Sequence, residues 1–213
     1  SVPMRLLTWL TVVWICPLST TLWADTWKAG TARVDITPQE PIWMAGYGNR
    51  TKPSEGMIHP LWAKALALED ARGHRAVIIG TDTLGMTRSI YETIQKRLKS
   101  SHDLAAEQIM INASHTHTGP QIYRSLDLPD EKALENSRTR DAWEFTSELE
   151  KTVVRLTGEA LAAMEPARLT WNEARCRFSM SRRRNYALPE DHPNARRGPN
   201  PAGPVDQAVP ALR

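Results

Sequence analysis

Two histidines, His115 and His117, stand two residues apart in the segment SHTHTGP. This segment follows a short apolar run at 109–111, which is typical of a buried strand. On an extended backbone successive side chains point to opposite faces, so residues two apart share a face. We therefore predict that both imidazoles project from one face where the strand ends, just before Gly119 and Pro120 turn the chain into a loop.

Imidazoles grouped in this way suit a metal site or an acid–base site. Zinc-dependent hydrolysis needs about three protein ligands and an open position for water. Water bound to zinc in such a site reaches a pKa near ~7 and becomes a usable nucleophile. His115 and His117 could supply one or two ligands, and Asp35 and Asp82 could be ligands or partners that orient an imidazole. The structural alternative is a hydrogen-bonded histidine pair in a turn.

The remaining histidines are isolated in predicted loops or turns, where solvated surface positions are expected. Among them His59 is the best candidate for a further role, because it is predicted to open a strand after Gly56. The isolated histidines are His59, His74, His102 and His192.

Arginines form a second concentration of functional groups toward the end of the sequence. Guanidinium groups bind carboxylates, phosphates or sulfates through paired hydrogen bonds, although most surface arginines are solvated or pair with nearby acids. A net charge of only +3 in 213 residues gives no reason to infer a nucleic-acid partner. Export, which is predicted below from residues 1–24, also disfavours such a partner. The arginines are Arg175, Arg177, Arg182, Arg183, Arg184, Arg196 and Arg197.

The elements that must position the histidines alternate between strands and helices. A strand at 28–36 carries Asp35 near its end. A long loop with several glycines and aromatics follows at 39–60, which is either a binding loop or a surface excursion. Apolar runs at 61–69 and 75–81 predict a hairpin whose second strand is central in a sheet and ends at Asp82. A helix at 87–100, with Thr87 as its cap, leads into the strand before the histidines.

The second half of the sequence contains one long helix and one further strand. An apolar stripe predicts a core-facing helix at 141–165 that ends at Pro166. A strand is predicted at 167–178, followed by a proline-rich tail without a closing element. The predicted fold is therefore α/β, a mixed β-sheet flanked by helices with its site at the strand ends, in a domain expected to be incomplete. The stripe residues are Trp143, Leu149, Val153, Leu156, Ala160 and Met164.

Residues 1–24 have the composition of a secretory signal peptide. Arg5 precedes an uncharged stretch that runs to Trp23, and the small residue Ala24 suits cleavage. An uncleaved membrane anchor is the alternative reading. The expected location is periplasmic or extracellular. Because Cys16 would leave with the signal, Cys176 would remain as a lone thiol and no disulfide framework is expected.

The segment SHTHTGP strongly resembles the histidine motif of the neutral, non-lysosomal ceramidases and their bacterial relatives. Other matching segments follow the order in that family and extend the resemblance over 28–213. They are GTARVDITP with MAGYG, GMIHPLWAKALAL, TDTLGM, FSMSRR and GPVDQAVPALR.

The resemblance implies a zinc amidase that cuts the N-acyl bond of ceramide, with a lipid amide as substrate and association with a membrane surface. By motif position it implies that His115 ligates zinc, that His117 faces the substrate carbonyl, and that Arg182 is another active-site contact. Ser181 stands where the family usually has asparagine, which departs from the pattern beside Arg182.

Catalytic domains of the family are longer than this sequence, and their remaining zinc ligands and catalytic serine lie farther along the chain. Residues 25–213 are therefore expected to be the N-terminal portion of such a domain, inactive and weakly zinc-binding by themselves. Two alternatives remain open at this point. One is an exported metallohydrolase with a non-ceramide amide or ester substrate, and the other is a secreted binding module without catalysis.

Overall fold

The computed structural model describes residues 27–123, 129–181, 188–193, 195, 200–201 and 203–213. The predicted signal segment at 1–24 lies outside the described residues. So do five of the predicted arginines: Arg182, Arg183, Arg184, Arg196 and Arg197.

The main sheet has five strands in the order β4-β3-β2-β1-β5. The pairs β1–β2, β2–β3 and β1–β5 are antiparallel, whereas β3 and β4 run parallel, so the predicted mixed sheet is confirmed. The strands are β1 Trp27–Asp35, β2 Trp62–Glu69, β3 Arg75–Thr81, β4 Ile109–Ala113 and β5 Glu165–Ala167.

Parallel pairing of β3 and β4 requires a crossover, because a short turn cannot return the chain to the same end of the sheet. Helix α1, Arg88–His102, and a 3₁₀ turn at Ala106–Gln108 provide it. Thr87 holds the N-cap position with extended backbone, but its side chain does not cap the helix. The predicted hairpin of β2 and β3 and the predicted helix after it are therefore confirmed.

One face of the sheet is buried beneath α1 and the long helix α3, Ser137–Ala162. Rows of apolar side chains cross the strands on this face, since Ala65 pairs with Ile79 and Ile79 pairs with Ile111. The opposite face is more open, and Lys64 is exposed there. The helices contribute a matching set of buried residues at helical spacing, Ile90, Ile94, Leu98, Leu149, Val153, Leu156 and Ala160.

The predicted bounds of the long helix, 141–165, are wrong at both ends. The helix begins at Ser137 because the side chain of Asn136 accepts a hydrogen bond from the backbone N–H of Arg138 at 3.0 Å. This polar first turn has no apolar periodicity that could have marked it. The short helix α2, Glu131–Leu134, precedes it. At the other end, Pro166 lies within β5 opposite Lys28, at a sheet edge where a proline removes no essential hydrogen bond.

A separate two-stranded sheet is formed by β6, Trp171–Arg175, and β7, Ala208–Leu212. The predicted single strand at 167–178 is therefore divided between two sheets. The expectation that the tail has no closing element is also wrong, because Trp171 pairs with Leu212. This pairing joins segments far apart in sequence, and Pro210 obscures the strand pattern of β7. No described helix is long and apolar enough to cross a membrane.

Candidate functional site

The predicted polar residues meet at one edge of the main sheet. Strands β1, β3 and β4 end there, and the antiparallel strand β2 begins there, since Asp35 pairs with Trp62 and Thr81 pairs with Ala113. The backbone N–H of Ser114 donates to the carbonyl of Thr81 at 3.0 Å and continues the pairing past the end of β4. The prediction of polar groups at strand ends therefore matches the topology.

His115 lies two residues beyond β4 in the left-handed backbone region, with φ at 58°. For a residue other than glycine this backbone conformation is roughly 1–2 kcal/mol less favourable than the right-handed one. Its ring is held by a 2.7 Å contact between Nδ1 and the carbonyl oxygen of Leu84. Because a carbonyl accepts only, Nδ1 carries the hydrogen, and Nε2 of the neutral ring is left with its lone pair.

His117 lies beside His115, with ring centroids 5.2 Å apart and planes inclined at 69°. The rings meet, but the predicted reason was wrong, because the chain does not continue as an alternating strand through these positions. The left-handed turn at His115 brings them together instead. A third ring, that of Tyr47, contacts His117 edge-on at a centroid distance of 4.7 Å.

A segment of the long loop at 43–50 covers His117. The backbone N–H of Ala45 donates to the carbonyl of Gly119 at 2.9 Å, and the backbone N–H of Gln121 donates to the carbonyl of Trp43 at 2.8 Å. The sequence offered two readings of this loop, a binding loop or a surface excursion. Its pairing with both sides of the histidine motif makes it part of the site, and the glycines of MAGYG were the available signal.

The two carboxylates that were alternative ligands are engaged elsewhere. Asp82 Oδ2 accepts from the backbone N–H of Trp62 at 2.9 Å, and Asp35 Oδ1 accepts from the backbone N–H of Thr37 at 2.8 Å. Hydrogen bonds from the side chain and backbone of Thr37 lower the pKa of Asp35. Asp82 therefore ties the end of β3 to the start of β2, whereas Asp35 stabilises the turn that follows its own strand.

Zinc fits the described residues in part. His115 presents an open Nε2 while Nδ1 is fixed by a carbonyl, which is how metal-binding imidazoles are commonly oriented. However, no three His, Cys, Asp or Glu side chains within the described part of the chain gather closely enough to hold an ion. The described residues thus provide one or two ligands of the roughly three that a catalytic zinc requires.

A cavity of about 1070 Å³ opens next to the motif. Ser114, Thr116 and Thr118 line it, whereas His115 and His117 do not. The cavity is therefore on the hydroxyl side of the segment, and the long loop that includes Met57 and Ile58 also lines it.

The other predicted histidines and arginines do not join the site in the described residues. His59 lines the cavity, but β2 begins only at Trp62, so the expectation that His59 opens a strand is wrong. His74 pairs with Asp70 at 2.9 Å in the hairpin turn. Arg175 and Arg177 are exposed, and Arg182 lies outside the described residues.

Ser181, next to Arg182 in the sequence, is buried. Its carbonyl accepts from the backbone N–H of Asn200 at 2.8 Å. Its Oγ has no hydrogen-bond partner among the described residues.

Comparison with curated proteins finds several neutral ceramidases. The enzyme of Drosophila melanogaster is 29% identical over 122 residues, which is 55% of this chain and 16% of that protein. The enzyme of Pseudomonas aeruginosa is 26% identical over 156 residues, which is 71% of this chain and 22% of that protein. The chain thus spans about a fifth of the length of these relatives.

Solved structures give the same result for the fold. The crystal structure of neutral ceramidase from Pseudomonas aeruginosa matches with a TM-score of 0.63 at 23% identity, covering 88% of this chain and 29% of that one. A structure described as ceramidase complexed with C2 matches with a TM-score of 0.61 at 23% identity, covering 88% and 28%. The sequence model described as neutral/alkaline non-lysosomal ceramidase, N-terminal, matches residues 27–213. With its histidine motif at the end of β4, the chain belongs to the neutral/alkaline non-lysosomal ceramidase family.

Proposed function

We propose that this protein is a zinc-dependent amidohydrolase that cleaves the N-acyl amide bond of ceramide or a related lipid amide. The observation that carries the proposal is the pair of imidazoles at the end of β4, in which His115 is fixed through Nδ1 and leaves Nε2 open. Family membership over 27–213 and relatives named neutral ceramidase support the substrate class.

His115 is proposed as a zinc ligand. Its bond to the carbonyl of Leu84 fixes the tautomer and the ring orientation, both of which raise the quality of an imidazole ligand. Zinc, when bound, polarises a carbonyl and lowers the pKa of water to about 7. Further ligands would have to come from side chains outside the described residues, because the described set falls short of a full site.

His117 is proposed as the substrate-facing residue. Its ring stands beside that of the proposed metal ligand His115, with centroids 5.2 Å apart, so His117 could donate a hydrogen bond to a substrate carbonyl bound at this site. A preorganised hydrogen-bond donor at a developing oxyanion contributes roughly 100- to 1,000-fold to kcat. Arg182 is proposed as a further contact to substrate by its place in the motif.

Association with a lipid surface and export complete the proposal. Met57 and Ile58 are 63% and 92% exposed on the loop that lines the cavity, where apolar side chains can enter a bilayer interface. Export through the segment at 1–24 would place the protein in contact with external lipids. N-terminal sequencing of the protein recovered outside the cytoplasm would identify cleavage after Ala24, and retention of Met4 would contradict it.

The deciding experiment uses the complete product of the gene that encodes this chain. It should be incubated with an N-acyl sphingoid before and after treatment with a zinc chelator, and again after zinc is restored. Release of fatty acid and sphingoid amine that stops with chelator and returns with zinc supports the proposal. Chelator-resistant cleavage, or no cleavage of any lipid amide by the zinc-loaded protein, contradicts it.

A further inference from the structure

The two nitrogens of His117 have different surroundings. Nδ1 is buried and has no hydrogen-bond partner among the described residues. It faces Gly46, where a Cβ atom would stand 2.6 Å from Nδ1 and 2.5 Å from Cγ. Gly46 also has φ at +98°, so both its conformation and its close approach to the ring require glycine.

The contact with Gly46 favours a lone pair at Nδ1. The glycine hydrogen that takes the Cβ direction lies against the edge of the side chain formed by Cβ, Cγ and Nδ1, where a lone pair at Nδ1 can accept a weak Cα–H contact. An N–H in the same place would meet that hydrogen and remain an unsatisfied buried donor, which costs roughly 1–3 kcal/mol. The neutral ring therefore keeps its hydrogen on Nε2.

Arg50 fixes the backbone of the same histidine. Its Nη2 donates to the carbonyl oxygen of His117 at 2.5 Å, and its guanidinium lies 5.3 Å from the centroid of the Tyr47 ring. Its Nη1 donates to Sδ of Met44 at 3.7 Å. The planar guanidinium thus links Met44 of the segment at 43–50, which we call the covering loop, to the ring of Tyr47 and to the backbone of His117. A lysine ammonium, with one nitrogen, could not make all three contacts.

We propose that Gly46 and Arg50 are positioning residues that hold His117 with Nε2–H as its outward group. His115 has the opposite arrangement, with its hydrogen on Nδ1 toward Leu84 and a lone pair at Nε2. The neighbouring imidazoles thus present a lone pair and a hydrogen-bond donor. For its catalytic consequence the inference rests on the proposed function: His117 donates to the substrate carbonyl from Nε2 and does not act as its base.

The first test is spectroscopic and needs no activity. Metal-free complete protein labelled with ¹⁵N in its histidine rings is examined by solid-state NMR at mildly alkaline pH, with signals assigned by their loss in His117→Gln and His115→Gln. We expect an unprotonated Nδ1 for His117 and a protonated Nδ1 for His115. A protonated Nδ1 at His117 overturns the inference whatever the enzyme does.

Variants of the covering loop link the geometry to the tautomer. Gly46→Ala should mix the two tautomers of His117, because the added methyl forces the ring away. Gly48→Ala is the matched control, since a Cβ there meets nothing within 4 Å. An unchanged His117 spectrum in folded Gly46→Ala contradicts the role of Gly46.

Kinetics test Arg50. Arg50→Gln should lower kcat by roughly 100-fold with KM changed little, because misplacement of a reacting group has this effect. Arg50→Lys should recover part of the loss, and Arg155→Lys, on the exposed side of α3, should have no effect. A raised KM at unchanged kcat would overturn the positioning role. Absence of amide cleavage in the wild type would refute the proposed function, while the spectrum would still decide the tautomer.

Discussion

The carbonyl oxygen of Leu84 lies 2.7 Å from Nδ1 of His115. This contact joins the segment after β3 to the segment after β4, and it exists because the two strands run parallel and end at the same edge of the sheet. It makes Nδ1 the donor of His115 and leaves the lone pair of the neutral ring at Nε2. The crossover through α1 is thus the structural cause of the candidate metal ligand.

Replacement of His115 by alanine is expected to weaken zinc binding by more than about 100-fold, since loss of a partner behind a ligand already costs 10- to 100-fold. The dissociation constant of the complete gene product would be measured by competition with a chelator of known affinity. His74→Ala serves as the control, because His74 is an exposed turn residue that pairs with Asp70. Unchanged zinc affinity in His115→Ala would remove His115 from the metal site.

The ion pair between the buried Glu150 and the exposed Arg97 should make stability depend on pH. Glu150 is 2% exposed, and burial raises the pKa of its carboxyl, with the charges of Arg97 and Lys151 opposing the rise. Arg97 Nε lies 2.8 Å from Oε1, yet this oxygen accepts no hydrogen bond among the described residues, so the contact is one of charges. Relative to the unfolded chain, folding therefore favours protonation of Glu150.

A raised carboxyl pKa gives stability that is full below the unfolded pKa, near ~4.3, and is lost as pH rises through the folded pKa. Because Arg97 is itself 56% exposed and solvent screens its charge, Arg97→Ala should cost about 1 kcal/mol near neutral pH, where it removes a charge that offsets the carboxylate of Glu150, and less in acid. Adding Glu150→Gln should recover most of the loss. Urea unfolding across the pH range measures both, and an equal loss at acid and neutral pH would contradict the expectation.

The exposed residues Met57 and Ile58 should contribute to vesicle binding. The double change Met57→Ser and Ile58→Ser is expected to weaken binding to phosphatidylcholine vesicles by at least about tenfold, because each apolar side chain gains roughly 1.5–3 kcal/mol when buried. Co-sedimentation of the complete gene product measures this. Phe178→Ser is the control, since Phe178 is 78% exposed but lies outside the loop that lines the cavity. Equal losses in both variants would mean that general surface hydrophobicity, and not this loop, drives binding.

Gly30→Ala should destabilise the fold strongly. A Cβ at Gly30 would stand 2.1 Å from the carbonyl oxygen of Ala160 and 2.7 Å from the backbone N of Met164. Backbone cannot rotate away as a side chain does, so α3 would have to separate from β1, at a cost of about 3 kcal/mol. Thermal and urea unfolding measure the loss, and Gly48→Ala should be close to wild type. A variant as stable as the wild type would show that α3 can move without disturbing the core.

Local pattern was sufficient for much of the fold. Buried positions could be predicted wherever apolar residues repeat with the period of a strand or a helix. This holds for the apolar runs of β2 and β3, for Ile90, Ile94 and Leu98 on α1, and for the apolar stripe on α3. The ends of α3 were not predictable in this way. Its first turn is polar, and Pro166 is tolerated only because β5 lies at a sheet edge.

For the candidate site, the sequence by itself determined the family, the histidine motif and its place at a strand end. The tertiary structure decided the rest, since Leu84, Gly46 and Arg50 reach the histidines from 31, 71 and 67 positions away. No local period records such contacts, because they depend on the parallel pairing of β3 with β4 and on the fold of the covering loop. From their spacing alone the two imidazoles are equivalent. In the folded protein Nδ1 of His115 meets the carbonyl of Leu84, whereas Nδ1 of His117 meets Gly46, so the two rings differ in chemistry.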